Sequence, residues 1–127
     1  MSNQIVQSFQ AGGTITEYAL VSIDGAGKVV VTTSAADDNC VGVAQRAASS
    51  GDMVDVVIHG ITRVIAGEGI TFSNNPLLGA TTAGKVQIAA TAGEYVVCRV
   101  LPNVNQVSAV DGDQIRVLFT GPSIVVA

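Results

Sequence analysis

The segment Leu20-Val-Ser-Ile-Asp-Gly-Ala-Gly-Lys-Val-Val-Val-Thr33 decides the fold, because the chain repeats it 57 residues later. The second occurrence is Leu77-Leu-Gly-Ala-Thr-Thr-Ala-Gly-Lys-Val-Gln-Ile-Ala89, and the four residues Ala-Gly-Lys-Val are identical in both. A Gly-rich turn between two apolar runs is typical of a β-hairpin, since Gly and Asp tolerate the positive φ angles of tight turns. We therefore expect two copies of one antiparallel hairpin.

The similarity continues beyond the hairpins and indicates a duplicated unit. Further segments correspond in the same order: 41–44 with 98–101 at the same offset of 57 and, after a four-residue insertion in the second copy, 51–60 with 112–121 and 64–66 with 125–127. Two repeats can be drawn, about 18–66 and 75–127, which together form a single β domain over 18–127. Residues 1–17 lie outside both repeats and form an N-terminal arm.

The composition favours strands over helices. The 127 residues suffice for one domain, and 21 Val and 16 Ala stand against only 5 Leu, while 14 Gly point to many tight turns. The segments Met53–His59 and Gln114–Thr120 alternate apolar and polar residues, as half-buried strands do. We predict an all-β fold: a small β-barrel or sandwich of two antiparallel units packed about a pseudo-twofold axis, with an extended arm.

Charge and hydropathy exclude several classes of partner. The net charge is −4 and neither half carries a basic cluster, so we expect no direct binding to nucleic acid. No apolar stretch approaches the roughly 20 residues that span a bilayer, and the first residues lack the pattern of a signal peptide. We expect no membrane contact and synthesis in the cytoplasm of the producing cell. Cys40 and Cys98 should then be reduced and buried, with a disulfide or a reactive thiol as the alternatives.

Motifs for chemistry are sparse, so we predict no catalytic residue, no cofactor and no metal site. The one histidine, His59, corresponds to Thr120 in the second repeat, and no Ser lies in a G-x-S-x-G elbow. The aspartates fall in turns without a calcium-loop pattern. The alternative is an enzyme or small-molecule-binding β-barrel whose site forms between subunits, and its contributors would be Asp55, His59 and Arg63.

With its repeats in this order, the chain resembles the small capsid cement, or head decoration, proteins of tailed bacteriophages. The resemblance lies in Gly12-Gly-Thr-Ile15, the first Ala-Gly-Lys-Val, Asn39-Cys-Val-Gly-Val-Ala44 and Gly51-Asp-Met-Val-Asp-Val-Val-Ile-His-Gly60. It implies a non-enzymatic, β-rich virion protein that binds the outer surface of the head and stabilises the capsid. The implied partners are the major capsid protein and the protein itself, with a homotrimer favoured.

The arm carries apolar residues within a Ser-, Asn- and Gln-rich segment. Ile5, Val6 and Phe9 form a pattern suited to strand addition or groove filling on a neighbouring subunit. We predict that these three residues contact the capsid or the next protomer.

Overall fold

The computed structural model describes residues 4–37, 39–74, 76–90 and 92–125. Within these ranges the chain forms strands and turns without a helix, which confirms the predicted all-β class. The strands are β1 (Gln4–Gln10), β2 (Leu20–Ile23), β3 (Val29–Val31), β4 (Cys40–Ala44), β5 (Met53–Ile65), β6 (Ile70–Thr71), β7 (Leu77–Ala80), β8 (Val86–Ile88), β9 (Tyr95–Val100), β10 (Ser108–Ala109) and β11 (Gln114–Val125).

In the described part of the chain, nine strands form one curled antiparallel sheet with the shape of a half-barrel. Its order is β3-β2-β4-β5-β11-β9-β7-β8, with β1 paired to β5, while β6 and β10 form a separate pair. The two ends of the sheet have equivalent strand orders. From one edge to the centre the order is β3-β2-β4-β5, and from the other edge it is β8-β7-β9-β11. We call residues 4–59 the first half and residues 60–125 the second half.

The two longest strands, β5 and β11, pair at the centre of the sheet. Thr62 lies opposite Val117, and Gly60 lies opposite Phe119. Both strands are longer than the alternating segments predicted for them, since each continues past a glycine. Gly60 has φ 124° and Gly121 has φ 77°, values that let the backbone bend while the strand continues.

The two hairpins that were predicted from the sequence have the same register and turn. In β2–β3, Val21 faces Val31, and in β7–β8, Leu78 faces Ile88, the same pairing shifted by 57 residues in each strand. In the first turn, Asp24 Oδ1 accepts hydrogen bonds from two main-chain N–H groups, and in the second, Thr81 Oγ1 accepts the corresponding two. A short side-chain acceptor at this position closes both turns.

Strand β1 takes a position in the sheet that corresponds to the second part of β5. Phe9 pairs with Val54 on the first part of β5, just as Val64 pairs with Ile115 on β11. Residues 1–17 were expected to lie outside the repeats as an arm. In the structure, residues 4–10 are instead paired along the length of β1 with β5.

The interior consists mainly of small β-branched side chains in two clusters. The larger cluster surrounds the central strands and includes Phe119, Leu20, Leu78 and Ile115, while the smaller packs beneath β1 and includes Ile15. Valine is the commonest residue of the larger cluster and equals alanine in the smaller one, which fits a pleated sheet because its χ1 is restricted and it packs well on that surface.

Candidate interaction surface

The three residues of the alternative catalytic site lie on one face of β5 without forming a site. Asp55 Oδ1 accepts a hydrogen bond from Ser8 Oγ at 2.8 Å, and Arg63 Nη1 donates to Gln114 Oε1 at 3.3 Å. Adjacent members of the set are four residues apart, which in an extended strand is roughly 13 Å. In the described part of the chain, no hydrogen bond or ion pair joins any two of them.

Both cysteines are buried and free in the larger cluster. Burial raises the pKa of the Cys40 thiol to about 11, against a weaker opposing hydrogen bond with Thr32. Burial also raises the pKa of Cys98, and the nearby Cys40 adds to that shift. Thiols of this kind are poor nucleophiles, because the thiolate is the reactive form.

The described residues hold no group of three or more His, Cys, Asp or Glu side chains that could bind a metal ion. Among the same residues, no helix is long and apolar enough to cross a bilayer.

The predicted contact residues on β1 divide into two environments. Ile5 is 54% exposed and Val6 is 41% exposed, whereas Phe9 is half-buried against the smaller cluster. Between Ile5 and Gln10, β1 has a strand partner on one edge only, among the residues that the structure describes. Ile5 and Val6 are therefore presented to solvent on an edge strand, the kind of element that another chain can extend.

A second exposed apolar surface, which was not predicted from the sequence, lies in the loop 101–113. Val104 is 95% exposed, and Val107 and Val110 are each 63% exposed. We call these three residues the valine loop surface. The sequence feature that indicates this surface is the four-residue insertion, because Val104 and Val107 fall in the segment that lengthens the second repeat.

The corresponding turn of the first half shows that the fold does not require a valine at position 110. Ser49 N–H donates to Asp52 Oδ2 at 3.0 Å, and Val110 N–H donates to Asp113 Oδ2 at the same distance. The two positions make the same turn, yet one carries an exposed serine and the other an exposed valine. An exposed apolar side chain where a polar one serves the fold equally well makes Val110 a candidate contact residue.

A cavity of about 250 Å³ opens beside the central strand pair. Its lining combines two arginines with polar, aromatic and aliphatic side chains: Gln4, Tyr18, Gln45, Ile61, Thr62, Arg63 and Arg116. Tyr18 has φ 62°, and it is the one described non-glycine residue with a positive φ. For a bulky side chain that conformation is strained, and such strain concentrates at functional sites.

The fold also occurs in a phage head protein. The crystal structure of the N base of the head fiber gp8.5 of bacteriophage phi29 matches with a TM-score of 0.68. The match covers 95% of this chain and 98% of that one, at 15% sequence identity. At this identity the likeness shows a shared fold. No protein family model matches the chain, and no curated protein matches it.

Proposed function

We propose that this protein is a structural component of a phage virion that binds the outer surface of the head and stabilises the capsid. The observation that carries the proposal is the shared fold with a head fiber base over nearly the full length of both chains. The resemblance of the sequence to head decoration proteins supports the same role. The proposal includes no catalysis and no cofactor, and it assigns the function to surface complementarity.

The exposed apolar residues supply the contacts in this proposal. Ile5 and Val6 on the edge strand β1 and the valine loop surface would be covered when the protein binds, either by the major capsid protein or by another copy of the chain. Burial of apolar area drives protein association, at roughly 25 cal/mol for each Å² removed from water. The net charge of −4 suits a protein surface better than nucleic acid as the partner.

The test is co-sedimentation with purified heads of the phage whose genome encodes the chain. Wild-type protein should pellet with DNA-filled heads and protect them against heating or dilution of divalent cations. The variant V104S/V107S/V110S should bind at least tenfold more weakly. The matched control is Ile23→Ser, which alters an exposed apolar side chain on the hairpin outside both surfaces. Equal binding by the triple variant would remove the valine loop surface from the contact, and failure of wild-type protein to bind would refute the function.

The oligomeric state is tested separately, by light scattering across a dilution series. We propose a homotrimer, because a closed threefold assembly fits threefold positions of an icosahedral shell. A mass of three chains at all concentrations is the expected result. A dimer would contradict the trimer, while a monomer would require that assembly occurs only on the head.

A further inference from the structure

Two arginines lie directly opposite each other at the centre of the sheet. Arg63 on β5 is paired with Arg116 on β11, and both line the cavity beside that strand pair. Directly opposed residues of an antiparallel pair have Cβ atoms about 5 Å apart, and like charges in that arrangement are destabilising. Within the described ranges, the one ion pair of the chain joins Lys85 to Asp111, so neither arginine has a carboxylate partner.

The first half of the molecule shows what the fold does at the same position without this conflict. Ser8 on β1 pairs with Asp55 on β5, in the register that corresponds to Arg63 and Arg116. Ser8 Oγ donates to Asp55 Oδ1 at 2.8 Å, so that pair is satisfied internally. The strand pairing therefore does not demand arginines, and in the second half it leaves two exposed, adjacent guanidinium groups available to an anionic ligand.

We propose that the cavity between Arg63 and Arg116 binds the carboxylate of an acidic side chain from a protein partner. The planar guanidinium group of arginine presents paired N–H donors that match the two oxygens of a carboxylate. Two neighbouring guanidinium groups can bind the same carboxylate. The lining also includes Tyr18 in its strained conformation, with Gln4 and Gln45 as further polar groups.

A carboxylate fits the charge of the molecule better than the phosphates of a nucleic acid. The chain has only six basic residues against ten acidic ones, so its overall field repels a polyanion. A single acidic side chain carried by a protein meets only the local field of the two arginines. The identity of that partner as a head protein or a second copy rests on the proposed function, whereas the carboxylate site itself does not.

The test uses the tripeptide acetyl-Ala-Glu-Ala-amide, which carries one carboxylate, as the probe and acetyl-Ala-Gln-Ala-amide as its neutral match. Titration is followed by the Nε–Hε resonances of the four arginines in an NMR spectrum. We expect the glutamate peptide to shift the signals of Arg63 and Arg116, with the glutamine peptide producing no shift. R63Q/R116Q should weaken binding at least tenfold, while the charge-matched control K28Q/R46Q should weaken it less than twofold.

Several results would overturn the assignment: equal binding of both peptides, undiminished binding by R63Q/R116Q, or an equal loss in K28Q/R46Q. Tighter binding of inorganic phosphate than of the glutamate peptide would overturn the choice of an acidic protein segment. A further variant, R63S/R116D, copies the Ser8–Asp55 pair, and we expect it to melt at a higher temperature than wild type without ligand. A wild-type protein that binds heads but not the glutamate peptide would refute this site and leave the proposed function standing.

Discussion

Ala11 and Ala66 occupy the same place in the two halves of the molecule. The N–H of Ala11 donates to the main-chain carbonyl of Asp52 at 2.7 Å, and the N–H of Ala66 donates to that of Asp113 at 2.8 Å. Both side chains are fully buried, and each residue forms a parallel bridge to the first residue of β3 or β8. The backbone therefore leaves β1 and the second part of β5 at equivalent positions.

This equivalence predicts that Ala11→Val and Ala66→Val destabilise the fold by similar amounts. Two extra methyl groups in a closed site force neighbouring side chains or backbone to move, which costs about 1–3 kcal/mol. The free energy of unfolding from urea titrations measures the effect. Ala47→Val is the control, since Ala47 is exposed and should change stability by less than about 0.5 kcal/mol. A large loss for one buried variant only would show that the two sites differ.

Gly42 in β4 predicts a second stability effect. A Cβ atom at this position would overlap the side chain of Val56 and the carbonyl oxygen of Val57, and the backbone oxygen cannot turn aside as a side chain can. We expect Gly42→Ala to cost about 2 kcal/mol or more. Gly25→Ala is the matched control, because a Cβ there meets no atom within 4 Å, and its melting temperature should stay close to wild type. A stable Gly42→Ala protein would contradict the close approach of β4 to β5.

The buried thiols predict slow alkylation of the native protein. A pKa of about 11 for Cys40, against an ordinary value near 9, lowers the thiolate fraction at pH 8 about a hundredfold. Iodoacetamide should therefore label native protein at least a hundredfold more slowly than protein unfolded in urea, with mass spectrometry counting the labels. Rapid labelling of either cysteine at pH 8 without urea would show that the larger cluster opens to solvent.

The same shifts predict a loss of stability at alkaline pH. Between pH 9 and about 11 the folded protein keeps the Cys40 proton that the unfolded chain releases, so the free energy of unfolding falls as pH rises. The raised pKa of Cys98 acts in the same direction. Urea titrations at pH 8 and pH 10.5 should show a smaller fall for C40A/C98A than for wild type. An identical fall in both proteins would assign the alkaline loss to other groups.

The sequence was sufficient for the fold class and for the hairpins, because both depend on local residues. The identical Ala-Gly-Lys-Val segments specify two turns, and alternation in Met53–His59 and Gln114–Thr120 specifies the central strands. The position of β1 was missed although a signal existed. Ala11-Gly12 with Ile15-Thr16 recurs as Ala66-Gly67 with Ile70-Thr71. This short match is too sparse to indicate a strand by itself, and the equivalent hydrogen bonds of the two alanines give it its meaning.

The cavity and the valine loop surface could not be predicted in the same way. Arg63 and Arg116 are 53 residues apart in the chain, and only the register of β5 with β11 brings them opposite each other. Val104, Val107 and Val110 look like core residues by type, and their exposure depends on where the longer loop turns away from the sheet. Long-range register and loop direction are tertiary properties, which local pattern does not specify.

The two loops that join the last strands of each half predict a working chimera. Gln45 N–H donates to Asp55 O at 2.9 Å where the first loop begins, and Leu101 N–H donates to Arg116 O at 2.8 Å where the second begins. Both loops end in the aspartate turn described above, so residues 45–52 can replace residues 101–113 between the same anchors. Shortening a surface loop changes its closure entropy little.

We expect this chimera to unfold within about 1–2 kcal/mol of wild type, since it loses the hydrogen bonds that the longer loop makes to the rest of the chain, namely the pairing of β10 with β6 and the bond from Phe72 N–H to Val107 O. Circular dichroism and urea titration would measure the fold and its stability. The chimera lacks the valine loop surface but keeps Ile5 and Val6, so the proposed function predicts weakened attachment to heads with the fold intact. An unfolded chimera would mean that the longer loop is needed for folding, in which case its exposed valines would need no partner to explain them.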